Sequence, residues 1–266
     1  STSMSAPQPN KGQISIRNLT FRYEPHLPVV LNNISFEINS GESVAIVGRT
    51  GSGKSTLISI LQRFYEAPKN SVLIDGLAIH DISLDALRKH IGVVQQENFI
   101  FRGSLRDNIS LGDSSLSDEK ILHALQQIGC TAFYSEVGHD LNFKIDERGA
   151  NLSVGERQLI AFARILVFQP EILILDEATA NVDSVTEKWI QNATREITKS
   201  RTSIIIAHRL STIKECHKIV VMSEGQIVEI GSHEDLIKKK GFYYHFASAG
   251  VNSMLSLALA DGIASP

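Results

Sequence analysis

Nine consecutive residues, Gly48-Arg49-Thr50-Gly51-Ser52-Gly53-Lys54-Ser55-Thr56, constrain this chain more than any other segment. They fill the pattern G-x-x-x-x-G-K-[ST]. An apolar stretch (Ser43-Val44-Ala45-Ile46-Val47) precedes them, and a stripe of Leu57, Ile60, Leu61 and Phe64 at helical spacing follows. Strand, glycine-rich turn and helix in that order form a phosphate-binding arrangement. Glycines let successive backbone N–H groups turn inward, and a new helix offers unpaired donors and the positive end of its dipole. Lys54 is then placed to reach β- and γ-phosphates, and the Ser55 hydroxyl to hold Mg²⁺. The loop by itself does not separate kinases, GTPases and motor ATPases, which all carry it.

The chain has 266 residues, enough for one sizeable core or one core with a smaller subdomain. Its net charge of −3 gives no sign of a nucleic-acid surface. Two cysteines, Cys130 and Cys216, stand far apart in no metal-like spacing, which fits free thiols in a reducing compartment. N-x-[ST] triplets at Asn18, Asn33, Asn108, Asn151 and Asn192 would accept glycans only in a secreted chain. No start resembling a signal peptide and no apolar run of about 18–20 residues is found, so a soluble, cytosolic polypeptide is expected. Work at a membrane would then need a spanning segment elsewhere.

Residues 1–11, rich in Ser and Pro, read as a linker, and the mildly apolar stretch 251–266 lies outside every pattern found. Strands are expected at Gln13–Arg17, Ile34–Ile38 and Ser71–Ile74, the last ending at an Asp75-Gly76 turn signal. Ile121, Leu122, Leu125 and Ile128 repeat at helical spacing. Three aliphatic runs follow, Glu171–Leu175, Ser203–Ile206 and Lys218–Val221, which read as strands buried on both faces. Such strands separated by helices predict an α/β fold with a mostly parallel sheet.

The run Ile172-Leu173-Ile174-Leu175-Asp176-Glu177 ends in two carboxylates at the carboxyl edge of its strand, where open α/β sheets place their ligands. Asp176 suits orientation of Mg²⁺, and Glu177 suits polarisation of a water attacking the γ-phosphate. A third element, Asn151-Leu152-Ser153-Val154-Gly155-Glu156-Arg157, precedes a stripe of Leu159, Ile160, Ala163, Leu166 and Val167 that stops at Gln169-Pro170. Ser153-x-x-Glu156 is a capping box, so this segment reads either as a plain helix start or as a second anion site built from a serine, a glycine and a helix N-terminus.

Together these elements resemble the nucleotide-binding domain of the ATP-binding cassette (ABC) superfamily, over about Gln13 to Phe246. The resemblance implies a P-loop NTPase core with a mostly parallel sheet, an N-terminal antiparallel β subdomain and an inserted α-helical subdomain at about 97–169. The domain would span 12–248, with a tail at 249–266. It also implies ATP and Mg²⁺ as ligands. Tyr23 would stack on adenine, Gly48, Arg49, Thr50, Gly51, Ser52, Gly53, Lys54, Ser55 and Thr56 would form the Walker A loop, and Gln96 would lie near Mg²⁺ and the attacking water. Leu152, Ser153, Val154, Gly155 and Glu156 would form the signature, Asp176 and Glu177 the Walker B acid and catalytic base. Asp183 would sit in the following loop, and His208 would act as the switch histidine on the γ-phosphate.

The segments Asn98–Ile109 and Glu147-Arg148-Gly149 are similar to the exporter branch of that superfamily, in which a transmembrane domain precedes this one in the same polypeptide. The implied partners are a second nucleotide-binding domain, paired head to tail, and that transmembrane domain, with no nucleic acid. The implied place is the cytoplasmic side of a membrane. Each transferred residue has a plainer alternative. Tyr23 could simply pack, Gln96 could be a strand-end amide, His208 a satisfied core imidazole, and Asp183-Ser184 a helix start with a capping box reaching Glu187. The family pattern Leu-Ser-Gly-Gly-Gln departs here to Val154-Gly155-Glu156. Glu156 is expected to fold back onto the Ser153 N–H and not to touch nucleotide. Lys238-Lys239-Lys240 reads as a solvated helix end. Non-transport relatives serving DNA repair or translation, and a regulatory module without turnover, form the competing classes.

Overall fold

A computed structural model describes residues 12–95, 98–129, 140–176, 184–199, 201–207 and 209–249. Strands β1 (Ile14–Phe21), β2 (Leu31–Ile38), β4 (Val72–Ile74) and β5 (Leu77–Ala78) make an antiparallel sheet in the order β2-β1-β4-β5. The expected Asp75-Gly76 turn joins β4 to β5, with φ of 50° and 80° at the two residues, as a tight hairpin needs. The Asp75 carboxylate also accepts the Gly12 and Gln13 N–H groups and so pins the start of β1.

The second sheet runs β12-β11-β3-β10-β9-β6. It comprises β3 (Ser43–Gly48), β6 (Ile91–Val94), β9 (Ile172–Asp176), β10 (Thr202–Ile206), β11 (Lys218–Ser223) and β12 (Gln226–Gly231). All neighbours are parallel except the hairpin β11–β12. Its inner strands read as unbroken aliphatic runs because both faces are covered. Ala45, Val47, Leu173, Leu175, Ile205 and Val221 enter one core, while Val44, Ile46, Ile172, Ile174, Ile204 and Val220 enter the other.

Helix α1 (Lys54–Leu61) and α2 (Leu84–His90) fall between β3 and β6. The expected stripe is cut short here: α1 ends before Phe64, which is 64% exposed. Arg63 adopts φ 55°, and its N–H with that of Phe64 closes back on Ile60 and Ser59. Between β6 and β9 come β7 (Gly103–Ser104), α3 (Leu105–Ser110), α4 (Asp118–Gln127), β8 (Lys144–Ile145) and α5 (Val154–Phe168). Gln169 ends α5 in the left-handed region, and Pro170 follows where a helix cannot continue.

The remaining helices are α6 (Ser184–Thr198), α7 (Leu210–Glu215), α8 (His233–Lys239) and α9 (Phe242–Ala249). Lys238, Lys239 and Lys240 are exposed at the end of α8. The architecture is an α/β P-loop fold carrying a separate antiparallel sheet. Among the described residues no helix is long and apolar enough to cross a membrane.

Candidate functional site

The phosphate loop is moulded by close backbone approaches. A Cβ on Gly48 would stand 2.3 Å from the Met222 carbonyl oxygen and 2.7 Å from Ser52 Oγ. At Gly53, φ is +100° and a Cβ would lie 2.6 Å from Leu31 Cδ2. Gly51 differs, with φ +82° and nothing within 4 Å. The Ser52 N–H donates to Arg49 O at 3.1 Å, and Gly225 N–H donates to Ser52 O at 3.1 Å. One bond closes the loop on itself and the other ties it to the turn between β11 and β12.

Helix α1 starts at Lys54 behind Gly53, with no side-chain cap and no acid in its first turn. By contrast, Ser83, Ser104, Ser117, Ser153 and Ser232 each cap the helix they precede. A first turn without a side-chain cap favours an outside anion. Lys54 Nζ donates to Gly48 O (2.7 Å), Arg49 O (2.9 Å) and Ser52 Oγ (3.4 Å) and so curls across the loop. Burial lowers the pKa of this ammonium, and the charge of Asp176 pulls it back up.

Asp176 reaches this place by strand register. Ile206 of β10 is opposite both Ile46 of β3 and Asp176 of β9, so the carboxylate ends its strand level with the loop that follows β3. The oxygen donors Ser55 and Asp176 suit a hard cation. Among the described residues no group of three or more His, Cys, Asp or Glu side chains could cage a metal alone. That donor set fits Mg²⁺, which typically takes one or two side chains and completes its shell with phosphate and water.

Tyr23, 43% exposed, borders the loop, and its hydroxyl lies 2.8 Å from Thr56 Oγ1. Phe21 and Tyr65 stand nearly perpendicular to its ring, with centroids at 5.2 and 4.9 Å. The structure thus brings Tyr23, the loop 48–56 and Asp176 into one region. Gln96, Glu177, Asp183 and His208 lie outside the described residues.

The segment Ser153-Val154-Gly155-Glu156 begins α5 as a closed capping box. Glu156 N–H donates to Ser153 Oγ at 3.2 Å, and Ser153 N–H donates to the Glu156 carboxylate at 2.6 Å. Val154 is 42% exposed at this tip. Arg157, which sequence reasoning passed over, donates to Leu152 O (2.6 Å) and Gly149 O (3.1 Å) and so binds Glu147-Arg148-Gly149 to the start of α5. Its only sequence signal is a charge beside an apolar stripe.

Arg164 on α5 was missed likewise. It donates to Asn108 O (2.7 Å) and Phe99 O (2.8 Å), and burial lowers its pKa to about 10. It lines an open groove of 780 Å³ with Arg88, Lys89, Phe99, Asp113 and Phe168. Phe99 there is 76% exposed.

Comparison with known proteins agrees with this geometry. A family model described as "ABC transporter" matches residues 31–180. A probable multidrug resistance ABC transporter ATP-binding/permease protein of Bacillus subtilis is 46% identical over 233 residues, covering 88% of this chain and 34% of that protein. The toxin RTX-I translocation ATP-binding protein of Actinobacillus pleuropneumoniae is 48% identical over 239 residues, covering 89% and 33%. The chain therefore spans about a third of the length of these relatives. A solved bacterial Atm1-family ABC exporter with ATP bound superposes with a TM-score of 0.83 at 35% identity, covering 93% of this chain and 44% of that one. With the glycine-rich loop and the strand register in place, these matches show that the chain belongs to the ABC transporter family.

Proposed function

We propose that this chain, over residues 12–248, is the ATP-hydrolysing unit of an exporter, working at the cytoplasmic side of a membrane. The observation that carries the reading is the α1 start without a side-chain cap, with Lys54 folded across it and Asp176 level with it. A triphosphate supplies the missing cap, and Lys54 exchanges its carbonyl acceptors for phosphate oxygens. Tyr23 stacks on the adenine. Ser55 and Asp176, with Gln96, would hold Mg²⁺, which would supply positive charge beside the transferred phosphoryl group.

Two copies then pair head to tail. Ser153 and Gly155 of one face the γ-phosphate held by the loop of the other. In the closed box Ser153 Oγ accepts from Glu156 N–H, which leaves the hydroxyl proton available for that phosphate. Glu156 itself stays on the Ser153 N–H and keeps its charge occupied. Glu177 polarises the attacking water, and His208, with Asp183 nearby, senses the γ-phosphate. Loss of that phosphate removes the contacts that hold the pair and lets it open. The groove beside Arg164 and exposed Phe99 takes the contact from a transmembrane domain. The relatives named as toxin translocation and multidrug resistance proteins support export as the purpose.

Glu177→Gln tests the cycle. Size-exclusion chromatography with ATP and Mg²⁺ is expected to show an accumulated dimer with turnover lost. Turnover equal to the parent chain removes Glu177 from the base role.

A further inference from the structure

Tyr23 meets the first turn of α1 and the chain that leaves its far end. Thr56, in the first turn and only 6% exposed, meets the Tyr23 hydroxyl at 2.8 Å. Past the other end, the left-handed Arg63 turns the chain, and its guanidinium donates to Ile82 O (2.7 Å) and Ile79 O (3.3 Å). That anchored turn delivers Tyr65 to the Tyr23 ring, with centroids 4.9 Å apart and planes at 77°. Phe21, 8% exposed, stands against both rings. Edge-to-face contact fixes a ring's plane, and a hydroxyl bond fixes where the tip of the ring sits. Tyr23 therefore has little freedom before any ligand arrives, although 43% of it is open to solvent.

We propose that Tyr65 is a positioning residue for the nucleotide base, holding the Tyr23 ring, together with Thr56, in the plane that receives adenine. This rests on the reading of Tyr23 as the base-stacking residue. Since Thr56 belongs to the phosphate loop, ordering that loop also orders the ring, and base and phosphate subsites form together. Binding to a ring already held loses less side-chain freedom than binding to a mobile one. Tyr65 is itself 43% exposed, so its truncation removes little buried surface.

Calorimetric titration of the 266-residue chain with ATP and with inorganic tripolyphosphate, both with Mg²⁺, tests the proposal. Tyr65→Ala is expected to weaken ATP about 3- to 10-fold, the range of one aromatic pair, and to leave tripolyphosphate unchanged. Tyr65→Phe, which keeps the ring, restores ATP affinity. Unchanged ATP affinity in Tyr65→Ala, equal weakening of both ligands, or failure of Tyr65→Phe to rescue would overturn it. Tyr23→Ala separates the layers. If it weakens ATP relative to tripolyphosphate while Tyr65→Ala does not, positioning fails and stacking stands. If Tyr23→Ala has no such effect, the stacking reading fails and takes this proposal with it.

Discussion

Helices α1 and α5 both begin beside glycine and serine, yet their first turns are completed in opposite ways. At α1 no side chain caps the first turn, no acid lies within it, and a half-buried lysine reaches across its mouth. At α5, Ser153 and Glu156 satisfy each other's backbone N–H groups, and Arg157 ties down the chain behind them. Composition alone does not separate the two starts. What separates them is whether a side chain three residues along closes the turn. The α1 start gains stability from an external anion, while at α5 the box already occupies the Glu156 N–H and leaves the Ser153 hydroxyl proton and the remaining first-turn N–H groups to offer. Nucleotide should therefore load on α1 first, with α5 of a partner recognising the loaded site.

The largest expected effect tests how tightly the α1 side is moulded. Gly48→Ala places a Cβ 2.3 Å from a backbone oxygen that cannot swing away, so a loss of about 2–3 kcal/mol is expected in urea unfolding, with nucleotide uptake lost. Gly51→Ala meets open space and carries only the cost of its positive φ, about 1–2 kcal/mol. Equal losses at the two glycines would count against a moulded loop. Next, Lys54→Ala removes charge-assisted bonds to phosphate, which predicts roughly 10- to 100-fold weaker ATP binding by calorimetry. Ser153→Ala, measured on the unpaired chain, should change that affinity by less than about 2-fold while abolishing ATP-dependent pairing. If both variants lose the same affinity, the two helix starts serve one nucleotide within one chain.

Stability should sharpen the contrast further. Loss of a cap costs about 0.5–2 kcal/mol, so Glu156→Ala is expected at the low end of that range in thermal or urea unfolding, and Glu156→Gln close to zero. Either variant binding ATP less tightly in the unpaired chain would break the assignment of Glu156 to capping.

The smallest effect is on pH. Burial, opposed by Asp176, puts the Lys54 pKa below its ordinary 10.5 in the free chain. A bound triphosphate favours the ammonium and raises that pKa, so binding takes up a proton wherever free Lys54 has lost one. Affinity should be flat below the lowered pKa and fall as pH rises through it towards 10.5. Titration in buffers of different ionisation heat reads the proton uptake directly. Affinity that stays constant across that interval would place Lys54 away from the phosphate.

How much of this was legible in the sequence depends on range. Aliphatic runs such as Ile172–Leu175 and Ser203–Ile206 are local signals, and they are strands as expected, because burial on both faces keeps them almost wholly apolar. The box at Ser153 and Glu156 is equally local and forms as read. Phe64 misled because spacing cannot see the left-handed turn at Arg63 that ends the helix first. Strands β1 and β2 run longer than the alternation suggested, since paired neighbours extend them through irregular register. Tyr65 and Arg164 were invisible for another reason. Their partners, Tyr23 and Asn108, lie 42 and 56 positions away in the chain, and nothing in a one-dimensional pattern announces such meetings.

Strand β10 separates β3 from β9, although it follows both in the chain. A ribosome making this protein therefore completes the lysine-bearing loop and the acidic strand before it makes the strand that bridges them. Until residue 206 has emerged, a gap is left in the middle of the sheet, and a nascent chain cannot grip a triphosphate in finished form. The finished arrangement of loop and acid therefore waits on the last of the three strands to be made.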